Sequence, residues 1–214
     1  MAYTNILFDL DGTLVDSGEG VLKCAELGLR HCGLPIPSPA EMRTFVGPPL
    51  KESFMRFGCT EQQADEAITV YRSRYTTVGK FELFVYPGIE NLLRRLKAAG
   101  CKLYVATSKP ETVSVEILEH FGLASYFDCI AGAALDQSRS TKSEVIAYLL
   151  SQAGDLSGAL MVGDTAYDVI GAAHHGIPCA AITWGYGTVE SLEAAHPAAM
   201  VDTPEALLAL ITEG

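Results

Sequence analysis

The chain lacks an apolar run approaching the roughly 18 residues that a membrane span needs. Its amino terminus also lacks a basic region followed by a long apolar stretch. Neither a span nor a secretory signal is expected, and the reading favours a cytoplasmic protein with no membrane partner. Basic residues are scarce: lysine and arginine total 15 against 26 aspartates and glutamates, a net charge of -11. No basic field is available to draw in nucleic acid or anionic lipid. The six cysteines form no close C-x-x-C pair, and most sit in apolar stretches as reduced packing residues, which again fits the cytosol. Internal repeats and low-complexity segments are absent.

At 214 residues the chain has room for one large domain, or a core plus a smaller one. From residue 86 onward, short apolar runs alternate with helix-patterned segments, the βαβ signature of a parallel sheet. The spacing predicts strands at 102–106, 129–132, 159–162, 179–182 and 199–201. Helices are predicted at 89–99, 111–120, 142–153, 166–174, 188–195 and 204–212. The stretch 17–85 breaks this rhythm, because its segments Gly20 to Arg30, Leu50 to Phe57 and Glu61 to Val78 pattern as helices with no convincing strand between them. We therefore expect an α/β fold, a doubly wound parallel sheet with a Rossmann-like core formed by 1–16 and 86–214. A helical cap domain at 17–85 would be inserted into it, with turn-forming residues at both edges.

The candidate chemistry begins at Asp9-Leu10-Asp11-Gly12-Thr13, directly after the apolar run Ile6-Leu7-Phe8. Ligands of open α/β sheets bind at the carboxyl ends of the strands. Two carboxylates this close repel unless a cation lies between them or one is protonated. A helix cap or turn would account for one acid but not for two. A second acidic pair occurs in Gly163-Asp164-Thr165-Ala166-Tyr167-Asp168 after the run Leu160-Met161-Val162. Its i,i+4 spacing would put both side chains on one face if the helix had begun by Asp164. Asp164 alone also fits an N-cap. Hard carboxylate oxygens of this number suit Mg²⁺. Two further signals point to an anion. Thr107 and Ser108 end a predicted strand where helix-start N–H groups would gather, and Lys142 begins a helix, where a cation opposes the macrodipole. Trp184 and Tyr186 read as aromatics anchored in a glycine-rich turn, and His174 and His175 as helix-end residues.

Taken jointly, Asp9-Leu-Asp11-Gly-Thr13, Thr107, Lys142 and Gly163-Asp164-x-x-x-Asp168 resemble the haloacid dehalogenase-like superfamily of phosphatases, in order and in strand-end position. The likeness extends to its phosphoglycolate phosphatase-like and 5′-nucleotidase-like members, with the insertion at 17–85 similar to their cap. Val46 to Phe54 and Ala106 to Pro110 resemble the latter group in particular. The resemblance implies a phosphatase acting on a small-molecule phosphomonoester, phosphoglycolate or a 5′-nucleotide, with Mg²⁺ as cofactor. Asp9 would be the nucleophile that forms an aspartyl-phosphate, and Asp11 the acid and base. Asp9, the backbone carbonyl of Asp11 and Asp164 would hold the metal. Thr107, Ser108 and Lys142 would bind the phosphoryl group. Asp168 would orient metal-bound water or pair with Lys142. Arg43, Lys51 and Arg139 are the candidates for selecting the rest of the substrate.

Two alternatives share the same acids. A sugar phosphomutase would return the phosphoryl group to its intermediate. A non-catalytic, phosphorylatable signalling module resembling a receiver domain would keep it on the aspartate, although such a module needs neither a second acid at 11 nor a helical insertion. Dehalogenation fits less well, because a halide leaving group needs no proton from Asp11.

Overall fold

The computed structural model describes residues 3–136, 138–154 and 156–213. Ile6, Leu7 and Phe8 are fully buried in β1 (Asn5–Phe8), a short strand without polar alternation. That is the pattern of a parallel strand covered on both faces. A two-residue strand, β2 (Val15–Asp16), follows, and then the helices α1 (Gly18–His31), α2 (Pro39–Met42), α3 (Leu50–Arg56) and α4 (Glu61–Tyr75). β3 (Phe84–Val85) pairs with β2 in a separate two-stranded sheet. The rest of the chain alternates α5 (Ile89–Ala98), β4 (Lys102–Pro110), α6 (Glu111–His120), β5 (Cys129–Ala133), α7 (Lys142–Ala153), β6 (Ala159–Gly163), α8 (Ala166–Ala173), β7 (Cys179–Ile182), α9 (Val189–Ala194), β8 (Ala199–Val201) and α10 (Pro204–Glu213). α5 illustrates why these helices form. It buries Ile89, Leu92, Leu93 and Leu96, one apolar stripe at helical spacing, against an otherwise polar surface.

The main sheet has the order β5-β4-β1-β6-β7-β8, and each of its pairings is parallel. The fold is thus the doubly wound α/β arrangement expected from the pattern. The chain fills one side of β1 with β4 and β5, then crosses over to β6. The order therefore reverses between β1 and β6, and a ligand crevice opens beyond the carboxyl ends of the strands at such a switch point. Phe8, the last residue of β1, is in register with Val105 on one side and Val162 on the other. Hence the residues just past Phe8, Ala106 and Val162 all emerge at this one edge.

The chain separates into two compact units, Met1–Val15 with Val85–Gly214, and Asp16–Phe84. The first holds the six-stranded sheet. The second is helical, with α1 packed on α4 and α3 on α4. Its helix starts are well specified: Ser38 with Glu41 and Thr60 with Gln63 form reciprocal capping boxes at α2 and α4. α2 was not expected from the pattern. It has four residues, too few to show a hydrophobic period, and only its Ser-Pro-x-Glu start could have revealed it.

Two expectations need correction. β4 continues through Thr107 and Ser108 to Pro110, and α6 begins only at Glu111. The helix-start N–H groups are therefore not at Thr107, because Pro110 ends the strand and supplies the fixed φ that leads into the helix. α8 begins at Ala166, so Asp164 precedes the helix and shares no helical face with Asp168.

Candidate active site

The edge beyond β1, β4 and β6 gathers six ionisable side chains. Asp9 follows β1 directly, and its N–H donates to Val162 O across the sheet at 2.9 Å. Its Oδ1 accepts from the Leu10 N–H at 2.7 Å and lies 2.8 Å from Lys142 Nζ. Lys142 is the first residue of α7, whose start is set by Thr141 Oγ1 accepting from Glu144 N while Glu144 accepts from Thr141 N. A cation in this first turn is disfavoured by the helix dipole. Two carboxylates offset that cost, because Lys142 Nζ also lies 2.8 Å from Asp168 Oδ1. Lys142 Nζ also donates to Ala106 O at 2.8 Å. It thus lies within ion-pair distance of two carboxylates and donates one hydrogen bond to a backbone carbonyl. Lys142 therefore supplies positive charge between two carboxylates of this site.

Asp168 is held from its other oxygen, Oδ2, which accepts from Thr165 N at 3.0 Å and Thr165 Oγ1 at 2.8 Å at the start of α8. Asp164, at the end of β6, accepts from Thr13 Oγ1 at 3.2 Å and from Tyr186 N at 2.8 Å. Gly12 passes so close that a Cβ there would overlap the Asp164 carboxylate, and its φ of +81° is one that glycine adopts without strain. The turn after Asp11 can thus be formed only by glycine. Trp184 Nε1 donates to Thr13 O at 3.1 Å, which ties the glycine-rich turn to the same loop.

Oxygens of Asp9, Asp164 and Asp168 lie within 4.8 Å of one another, all three residues being buried. Burial raises the Asp9 carboxyl to about 6, against the opposing pull of Lys142 and with added repulsion from Asp168 and Asp11. Burial, then repulsion from Asp168 and Asp9, raises Asp164 well above the usual carboxylate range. Burial alone would push the Lys142 ammonium down, but Asp168 and Asp9 more than compensate and hold it above its ordinary value. Asp11 lies outside this cluster. Its Oδ2 is paired with Lys109 Nζ at 2.6 Å, in a contact where the Lys109 side chain is 7% exposed.

Four carboxylates, Asp9, Asp11, Asp164 and Asp168, therefore face two ammonium groups, Lys109 and Lys142. The excess of two negative charges among hard oxygen donors matches a divalent cation of the Mg²⁺ type, which is bound through few carboxylates and keeps several waters. The donor set fits such an ion.

Of the residues singled out by sequence, Asp9, Lys142, Asp164 and Asp168 converge directly. Thr107 is buried in β4, three residues before its end, and its Oγ1 accepts from Lys109 N at 3.2 Å. Ser108 is exposed. Arg139 is committed to the scaffold: it donates to Gly132 O at 2.6 Å and to Glu111 at 2.9 Å, and stacks over Tyr148. Lys51 and Arg43 belong to the helical unit, Lys51 paired there with Glu61 and Asp65. Sequence reasoning missed Lys109 and Thr13 as members of the site. The signal for Lys109 was its position two residues after Thr107, since alternate residues of a strand share a face. For Thr13 it was the last position of the first acidic motif.

The model of a family described as haloacid dehalogenase-like hydrolase matches residues 6–182. A protein from Pseudomonas aeruginosa named 5′-nucleotidase is 40% identical over 199 residues, covering 92% of this chain and 90% of that one. A Mycobacterium tuberculosis protein named tyrosine-protein kinase PtkA is 42% identical over 189 residues, covering 88% of this chain and 65% of that one. Among solved structures, one described as a predicted phosphatase from Clostridium acetobutylicum superposes with a TM-score of 0.93 at 43% identity, covering 99% of each chain.

Proposed function

Because the chain belongs to the haloacid dehalogenase-like hydrolase family, we propose that it is a Mg²⁺-dependent phosphomonoesterase that hydrolyses small phosphate esters through an aspartyl-phosphate on Asp9. The observation that carries this reading is the buried cluster of Asp9, Asp164 and Asp168, with the Lys142 ammonium ion-paired to Asp9 and Asp168. A 5′-mononucleotide is the first candidate substrate, supported by the 40% identical relative named 5′-nucleotidase. Phosphoglycolate is the second, supported by a 30% identical Caulobacter vibrioides relative named phosphoglycolate phosphatase.

Asp9 Oδ1 is held by the Leu10 N–H and Lys142, which leaves Oδ2 to attack phosphorus. A fixed carboxylate loses little orientational freedom on reaction. Lys142 keeps Asp9 ionised and aimed, and Asp168 and Ala106 O keep Lys142 in place. A divalent cation held by Asp9, Asp164 and the Asp11 carbonyl would supply charge that relieves repulsion between the anionic nucleophile and the phosphoryl group. Asp11 protonates the leaving oxygen and later deprotonates the water that cleaves the aspartyl-phosphate. Thr107, its hydroxyl buried near the same strand edge, would donate to a phosphoryl oxygen.

The test is phosphate release from 5′-mononucleotides, phosphoglycolate and sugar phosphates, with Mg²⁺, with chelator, and with Ca²⁺ in place of Mg²⁺. Release that needs Mg²⁺, is lost in chelator, returns on adding Mg²⁺ and is poor with Ca²⁺ is expected, since Ca²⁺ takes a larger and looser coordination sphere. Isomerised sugar phosphate as the product would instead identify a mutase, and a stable aspartyl-phosphate without turnover a signalling module. Transfer from ATP to tyrosine without phosphatase activity would also overturn the proposal.

A further inference from the structure

Lys109 and Asp11 form the shortest ion pair at the site edge, 2.6 Å from Nζ to Oδ2, with side chains only 7% and 18% exposed. The pair is asymmetric. Asp11 Oδ2 is engaged, whereas Asp11 Oδ1 is buried and has no hydrogen-bond partner among the described residues. A buried carboxylate oxygen without a partner is costly, and such orphans call for a functional or structural explanation. Lys109 reaches Asp11 from β4, two residues past Thr107, so the strand that carries the hydroxyl also carries the ammonium. Asp11 itself lies in the turn after β1 and has little secondary structure of its own to hold its side chain.

We infer that Lys109 is a positioning residue that clamps Asp11 by Oδ2 and so presents Oδ1 as the oxygen that handles the proton of the leaving group. This inference rests on the phosphomonoesterase reading above. In the first step the proton on Oδ1 passes to the bridging oxygen of the ester as the bond between that oxygen and phosphorus breaks and the bond between Asp9 and phosphorus forms, releasing an alcohol. In the second step Oδ1 takes a proton from water as the water oxygen bonds to phosphorus and the aspartyl-phosphate breaks, releasing inorganic phosphate and restoring both acids. With Oδ2 fixed, Oδ1 has one orientation instead of several, which is the kind of restriction that makes proton transfer efficient.

The clamp has a signature that a merely structural lysine would not share. A leaving group that is a poor alcohol depends on the proton from Asp11, whereas p-nitrophenolate departs without one. For Lys109→Met and Lys109→Gln, kcat/KM would be measured in Mg²⁺ for p-nitrophenyl phosphate and for an alkyl phosphate on the same preparation. The ratio of the two constants is unaffected by any unfolded fraction, so a partly destabilised variant still reports. Lys109→Met should raise the preference for p-nitrophenyl phosphate by about tenfold or more, within the range that positioned acid-base groups contribute. Lys109→Gln, which retains one donor for Oδ2, should raise it less. A preference unchanged within about twofold in both variants, or loss of both activities together, overturns the clamp. Failure of the wild-type protein to release phosphate from either substrate would instead overturn the phosphomonoesterase reading.

Discussion

Replacing Lys142 by methionine isolates the electrostatics of the site. The substitution keeps the length of the stem and removes the one cation that lies between Asp9 and Asp168, 2.8 Å from each. Its side chain is 4% exposed and that of Asp168 is fully buried, so solvent cannot take over its role. Breaking a buried ion pair by removing one partner costs about 3–5 kcal/mol, because the other charge stays behind. For a protein of this size that corresponds to a fall in melting temperature of roughly 6–20 °C. The cost must also depend on pH. Without the ammonium, nothing opposes the burial that raises Asp9 in the fold, so the folded variant holds the Asp9 proton at pH values where the unfolded chain has released it. Stability of the variant then falls relative to wild type as pH rises through that window, and the deficit shrinks again in acid. Thermal unfolding of metal-free protein at pH 5 and pH 7.5 would read both effects. A deficit below about 1 kcal/mol at pH 7.5, the scale of an exposed pair, or an equal deficit at both pH values, would refute the reasoning.

The same electrostatics shape the wild type. Metal-free protein should lose stability relative to Asp9→Asn as pH rises through the window from 3.8 to about 6, because burial raises Asp9 in the fold. The difference should approach about 3 kcal/mol above that window, and Mg²⁺ should reverse it at neutral pH only for the wild type. Denaturant titrations of the two proteins between pH 4 and 7 measure it, and parallel stability curves would contradict it. Asp9→Asn should also fold normally yet release no phosphate in steady-state assays, so substantial turnover in a folded variant removes Asp9 as nucleophile. Asp11→Asn should slow alkyl phosphates more than p-nitrophenyl phosphate, and equal losses on the two would argue against Asp11 as the acid.

The class of fold and the residues of the first and last acidic motifs were legible from pattern alone. Continuous apolar strands such as Ile6 to Phe8 cannot be stable with a face in water, and their alternation with helical stripes such as Ile89 to Leu96 requires a parallel sheet covered on both sides. Acids following those strands must then lie at the sheet's carboxyl edge, so Asp9 and Asp164 were legible as a pair although 155 residues apart. Local pattern could not determine which partners each charge acquires, because partners come from register and from strand order. The reversal of order between β1 and β6 brings Asp164 beside the loop of Asp9. The persistence of β4 to Pro110 carries Lys109 to Asp11. Lys142, read from its helix position as a cation awaiting an anion, lies in ion pairs with Asp9 and Asp168 and donates to Ala106 O. Arg139, Lys51 and Arg43 show the same limit. A charged side chain on a surface-like stretch is silent about its neighbours in sequence, and only packing decided that Arg139 braces Gly132 and Glu111 and that Lys51 pairs with Glu61 and Asp65.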